Sequence, residues 1–159
     1  MSSKALCNLV RAAVIATAIC GVITCGLILP SIGANFAKAN PEFAYCYLPW
    51  LIFLLAAAAP CFAVLVLGWK VATAIKREKV FTMQTARWIK AGAILLFCDV
   101  GFFFIGNIVL LFLNMSHPAV MLVSLFVDVF GVLLAVIAAV FSRYIAKAAG
   151  LQEEADGTI

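Results

Sequence analysis

Residues 91–142 read AGAILLFCDVGFFFIGNIVLLFLNMSHPAVMLVSLFVDVFGVLLAVIAAVFS. Between Lys90 and Arg143 the only formal charges are Asp99 and Asp128, and the only polar break is Asn114-Met115-Ser116-His117-Pro118. The apolar runs on either side of it, Ala91–Leu113 and Ala119–Ser142, are each long enough as a helix to cross a hydrocarbon core of about 30 Å at a rise of about 1.5 Å per residue. A backbone in lipid has no water to hydrogen-bond, so each run must satisfy its own N–H and C=O groups as an α-helix. The break between them is too short for anything but an antiparallel turn, so the two runs form a hairpin through the membrane.

The same reading extends upstream. Charge-free stretches at Phe43–Trp69 and Ala12–Leu29 add two more crossings, which places the spans at about 9–29, 47–69, 89–113 and 119–142. The expected fold is all-α: a polytopic four-transmembrane-helix bundle formed by residues 1–159 as a single domain, with a short acidic tail at 151–159. Composition agrees. Hydrophobic residues make up 67% of the chain and charged residues 11%, against about 45–50% and about 25% in a soluble domain. The first run could be read as a cleaved signal peptide, with Ala37-Lys38-Ala39 as the cleavage site. It is longer than the usual apolar region, and Ala37-Lys38-Ala39 lies too far beyond it, so an uncleaved helix is expected.

Orientation follows from the bias of Lys and Arg toward the cytoplasm. With the N-terminus inside, Lys4, Arg11, Lys70, Lys76, Arg77, Lys79, Arg87, Lys90, Arg143 and Lys147 are cytoplasmic, and Lys38 alone is outside. Both termini are therefore expected in the cytoplasm and the protein in the cytoplasmic (inner) membrane.

Local signals set the helix ends. Pro30 to about Asn40 reads as an outer loop. Asn40-Pro41-Glu42 reads as a helix start, and Pro49 predicts a bend or break before the second span. Pro60 interrupts that span and should free a carbonyl. Thr82 is the expected N-cap of a third helix beginning near Met83. The last helix is expected to reach about Ala149 and stop at Gly150. Gly21, Cys25, Gly92, Gly101 and Gly106 are read as small residues on packing faces.

Chemistry concentrates at a few polar positions. Asp99 and Asp128 lie near midplane, where a carboxylate costs about 2.5–3.5 kcal/mol on the insertion scale, so both should face protein or water. Read plainly they are neutral carboxyls acting as interhelix glue, with Thr17, Thr24 or Asn107 as hydrogen-bond partners. Read functionally they form a proton or cation site. His117 has no nucleophile or carboxylate partner in evident reach and reads as a loop residue. There is no CxxC pair, no metal-ligand cluster and no glycine-rich phosphate loop, so no enzyme, metal or cofactor is expected. Cys7, Cys20, Cys25, Cys61 and Cys98 read as small hydrophobes, and Cys46 lies near the outer surface. The basic cluster of Lys76, Arg77, Lys79, Arg87 and Lys90 satisfies the inside rule and meets anionic lipid. It lacks the interleaved aromatics of a nucleic-acid groove, so direct nucleic-acid binding is not expected.

NPEFAYCYLPW at 40–50, GWKVATAIKREKVFT at 68–82 and ARWIKAG at 86–92 resemble a bacterial family of small four-helix membrane proteins, catalogued as domain of unknown function 2975. The resemblance runs from about Asn40 to Ile159. Family members end in a sequence like Glu-Asn-Asp-Leu-Thr-Val; here the end is Glu154-Ala155-Asp156-Gly157-Thr158-Ile159, with Gly157 where Leu is usual. The family has no established activity, but its members are often encoded beside a very small helix-turn-helix regulator. The resemblance therefore implies a protein that holds such a regulator at the membrane. The surfaces available for this are Lys76, Arg77 and Lys79 with Glu153, Glu154, Asp156 and Ile159. Two other functions fit the residues: a small transporter or channel component using Asp99 and Asp128, with Asn107 as a further intramembrane polar group, or a structural subunit of a membrane complex. Expected partners are the lipid bilayer, the cytoplasmic regulator and a second copy of the chain.

Overall fold

A computed structural model describes residues 3–77 and 80–156, and among these every regular element is helical. Helix α1 (Ser3–Ile23) passes through a π-helical turn (Thr24–Ile28) into α2 (Leu29–Ala39). A short 3₁₀ segment (Pro41–Cys46) leads into α3 (Tyr47–Lys76), followed by α4 (Met83–Phe112) and α5 (Pro118–Asp156). Four helical stretches are long and apolar enough to cross a membrane, with mean hydropathy between 2.4 and 2.8 over their most apolar windows. The chain is a multi-pass α-helical membrane protein.

Two helix ends differ from the sequence expectation. The segment expected as an outer loop, Pro30 to Asn40, stays helical as far as Ala39. Proline lacks an N–H, and its ring crowds the carbonyl four residues back, here that of Gly26. The π-turn absorbs this misfit: Leu29 N–H bonds to Thr24 O, five residues back, and the helix continues beyond the proline. Asn40 both closes α2 and, as expected, stands at the N-cap of the next element ahead of Pro41, but its side-chain amide donates back to Phe36 O at 3.2 Å instead of capping forward. At the other end of the chain, α5 does not stop at Gly150 but runs to Asp156. A helical glycine costs only about 1 kcal/mol relative to alanine, and the flanking Ala148, Ala149, Leu151, Gln152, Glu153 and Glu154 are mostly strong helix formers.

Where a bend or break was expected before the second span, the 3₁₀ segment passes directly into α3 at Tyr47 with helical dihedrals on both sides, and Pro49 is the third residue of α3. Pro60 lies within the uninterrupted α3. Other ends form as expected. Thr82 is extended (φ −129°, ψ 151°) and its hydroxyl accepts from Thr85 N–H, capping α4. Helix α4 ends at a left-handed Asn114 (φ 56°). There Asn114 N–H bonds to Leu111 O and Met115 N–H to Leu110 O, the pair of bonds that closes a Schellman turn. His117 is more than a loop residue: its Nδ1 accepts from Ala119 N–H at 3.2 Å, capping α5 with Pro118 in the first helical position.

The helices pack in chain order, α1 on α3, α3 on α4, and α4 most extensively on α5. That last pair meets along a regular seam. On α5, Ser124, Asp128, Gly131, Ala135, Ala138, Ser142, Ile145 and Ala149 recur at alternating steps of four and three, and all are buried or half-buried. On α4, Ala86, Ala93, Val100 and Asn107 recur every seven residues. The antiparallel register is visible at three points: Ser124 hydroxyl to Asn107 Oδ1 (3.0 Å), Val100 against Gly131, and Ser142 hydroxyl to Ala86 O (2.8 Å). A seven-residue repeat of this kind winds two helices around each other, and small side chains let their backbones approach.

Helix α3 seats on α4 by a different device. Phe53, buried, stacks on Phe103 (centroids 5.4 Å, 12° between planes) and presses its ring into the space where Gly106 has no side chain. Gly21 plays the same part for Phe62, whereas Gly101 faces open space and serves no contact. Any side chain at 106 must displace the Phe53 ring. Gly106→Val should therefore destabilise the folded protein in detergent by about 1–3 kcal/mol, the usual cost of overpacking. Thermal or denaturant unfolding measures this, and adding Phe53→Ala should relieve part of the loss. No loss in the single variant would mean that α3 and α4 are not seated as described.

Candidate functional site

Midway along the bundle, polar side chains from three helices face one another. Asp99 projects from α4 one residue before the seam position Val100, and its Oδ2 accepts a hydrogen bond from the Cys61 thiol of α3 at 3.3 Å. Asp128 projects from α5 within the seam and is only 6% exposed, with Asp99 inside its electrostatic range. Asp128 and Gly131 lie on one face of α5, so the register places Asp99 about 6 Å nearer the chain termini than Asp128 at 1.5 Å per residue. Each carboxyl keeps one buried oxygen without a hydrogen-bond partner: Oδ1 of Asp99 and Oδ2 of Asp128.

One turn beyond Asp128 lies the completed part of this polar layer. Asn107, 2% exposed, donates from Nδ2 to Phe103 O at 2.9 Å and accepts the Ser124 hydroxyl on Oδ1. Thus Asn107 belongs to the α4–α5 seam and is not a partner of either carboxyl. Thr17 and Thr24, the other expected partners, are exposed on the first helix. The thiol that does reach Asp99 belongs to Cys61, which the sequence reading counted among the small hydrophobes. Its position next to Pro60, on the helix facing α4, was the one available signal. Among the described residues no three His, Cys, Asp or Glu side chains converge as a metal site.

At the end opposite the termini, aromatic residues tie the short turn to the other helices. Trp50 Nε1 donates to Met115 O at 2.7 Å, and Tyr45 hydroxyl donates to Asn114 O at 3.2 Å. Gly33 makes room for the Tyr47 ring, so α2 lies against the start of α3. The three segments enclose a mainly apolar groove of about 680 Å³ lined by Leu29, Phe36, Phe43, Trp50, Met115 and Val120 among others.

At the termini end, Lys76 closes α3 and Arg77 follows it, both exposed. Lys79 and Ile159 lie outside the described residues. Glu153 and Glu154 are carried on the last turns of α5, and Asp156 is its final residue. Every residue from Leu151 to Ala155 is exposed, beyond the last buried position, Ala149. The tail expected as a free segment is, as far as Asp156, a helical projection. Lys76, Arg77, Glu153 and Glu154 all lie at one end of the bundle, where the backbone of α5 also ends at Asp156.

A family model described as a protein of unknown function, DUF2975, matches residues 31–159. No curated protein and no solved structure matches the chain.

The Asn107–Ser124 pair offers a direct test of the seam. Ser124→Ala leaves Asn107 Oδ1 buried without a donor and should destabilise the protein by about 0.5–2 kcal/mol, the range for interhelix hydrogen bonds in membranes. Removing both partners as Asn107→Leu with Ser124→Ala should recover much of that loss, because no polar atom is then stranded. A double variant as unstable as the sum of the single variants would place the two residues apart.

Proposed function

Because the chain belongs to the DUF2975 family, a family without an assigned activity, we propose from its own residues that it is a non-enzymatic protein of the cytoplasmic membrane that binds a small cytoplasmic regulator. The observation that carries this reading is the projection of α5. A 39-residue helix is about 58 Å long, well beyond the roughly 20 residues a bilayer requires. The excess emerges at the termini end, which the excess of Lys and Arg assigns to the cytoplasm. It presents Glu153 and Glu154 on an exposed helical turn.

A projecting acidic helix suits a DNA-binding partner. Such a partner carries a positive face for phosphate, and an acidic surface competes for that same face while steering its approach. Lys76 and Arg77 lie at the same end and can meet acidic groups of the partner, and Lys79 follows them closely in sequence. The helix-turn-helix regulator implied by the family resemblance has this chemistry. Removing residues 150–159 should abolish co-purification of the regulator after mild crosslinking, with the membrane level of the protein unchanged. Glu153→Lys with Glu154→Lys should weaken capture by about tenfold or more, as reversed interfacial charges do. Capture unaffected by either change would remove α5 from the reading.

A second reading draws on a separate observation, the unpartnered buried oxygens of Asp99 and Asp128 on adjacent helices. Two intramembrane carboxyls offset along the bundle, with no lysine or arginine between Lys90 and Arg143 to neutralise them, have the arrangement of a proton or cation relay. On this reading Asp99→Asn and Asp128→Asn each lose ion flux in reconstituted vesicles while the protein still assembles. Flux equal to wild type in both variants would end it.

A further inference from the structure

We infer that the termini end of the bundle holds a specific site for the phosphate headgroup of an anionic phospholipid, between the end of α3 and the start of α4. A cleft of about 430 Å³ opens there, lined by Trp69, Lys70, Thr73, Arg77, Gln84 and Trp88 among others. One of its two lining cations meets an aromatic ring. Lys70 Nζ lies over the Trp88 ring, 5.9 Å from its centroid, so the ring favours an ammonium position at the cleft. Arg11, from α1, supports the other wall: its guanidinium sits 4.9 Å from the Trp69 centroid and donates to Thr73 Oγ1 at 3.2 Å. Arg11 Nε is buried without a hydrogen-bond partner, so this positive group is only partly satisfied within the protein.

The backbone adds a third positive contribution. Helix α4 begins at the cleft and has no acidic residue in its first turn. Thr82 caps the Thr85 N–H at the first turn of this 30-residue helix, whose leading N–H groups have no partner within the helix itself. Such a terminus, with its partial positive charge, favours an anion.

Location selects the source of that anion. Trp69 and Trp88 mark the depth at which indoles sit among headgroups. From the cleft inward, Val64 and Leu67 of α3 face Gly92 of α4, so the apolar wall continues into the hydrocarbon region where an acyl chain lies. A basic pocket between transmembrane helices on the cytoplasmic side matches the phosphodiester of an anionic lipid. A soluble phosphate would use the cations and the helix terminus but not the apolar wall. The site goes beyond the regulator reading, since it needs no protein partner.

The test is native mass spectrometry of the purified full-length protein with phosphatidylglycerol or phosphatidylcholine added in detergent, and with inorganic phosphate as competitor. Wild type should retain phosphatidylglycerol in preference to phosphatidylcholine. Lys70→Gln with Arg77→Gln should weaken that retention by about tenfold or more, in line with the loss of two interfacial cations. Arg87→Gln with Lys90→Gln, which removes the same charge outside the cleft, should leave it within about twofold. Both pairs are exposed positions, and an unchanged helical circular dichroism spectrum checks that each variant is folded. Equal losses in the two double variants would reduce the effect to diffuse surface charge and overturn the site. Equal retention of the two lipids would overturn it as well, as would displacement of phosphatidylglycerol by millimolar inorganic phosphate.

Discussion

The close antiparallel seam between α4 and α5 is the constraint on which the rest of the molecule depends. Lipid tails are as apolar as leucine, so nothing in a membrane drives helices together merely by removing their apolar surface from water. Association has to come from packing and from polar groups that lipid cannot satisfy. The seam uses both. Glycine, alanine and serine at seven-residue spacing bring the backbones near, and Ser124–Asn107 and Ser142–Ala86 close hydrogen bonds across it. Large apolar side chains such as Phe126, Phe130 and Phe141 point away from the seam and remain exposed on α5. In a membrane protein that exposure is the expected outward face, and most of the few buried residues are small or polar, with Phe53, Leu110 and Ile145 the large exceptions.

Much of the fold was legible because lipid makes its demands locally. Charge-free length dictates the spans, Thr82 and the Asn114–Pro118 break dictate two helix ends, and the short break dictates an antiparallel pair. The π-turn at Thr24–Ile28 was not legible, since Pro30 signals trouble with a helix but does not say whether the chain will end it or widen one turn. The extension of α5 through Gly150 was lost for a related reason: a single glycine is a weak stop when strong helix formers flank it. At the candidate site, burial of Asp128 and a protein-facing Asp99 followed from the cost of a carboxyl in hydrocarbon. Their partners did not follow, because a cysteine has too little polarity to announce itself as the hydrogen-bond donor that Cys61 turns out to be.

The two ends of the bundle are built for different tasks. Away from the termini, Trp50 and Tyr45 bond to backbone carbonyls of the turn, and Tyr47 fills the space at Gly33, so aromatic residues fasten one segment to another. At the termini end, Trp69 and Trp88 instead hold cations against their faces and border a polar cleft. The same residue types thus serve cohesion on one side and recognition on the other, and the difference lies in whether a carbonyl or a charged group meets the ring system.

The turn that joins α4 to α5 also bears on how the protein is made. Closed by two backbone bonds at Asn114 and capped at once by His117, it leaves the two helices no slack to separate along their length. Both intramembrane carboxyl groups lie in this pair, one on each arm. During biosynthesis a helix bearing Asp128 would meet the hydrocarbon at a penalty if it left the insertion machinery alone. Joined so tightly to the preceding helix, it can leave as half of a preassembled hairpin, with its carboxyl already turned toward α4. A short rigid link at the surface therefore eases the delivery of an acidic residue to the middle of the bilayer.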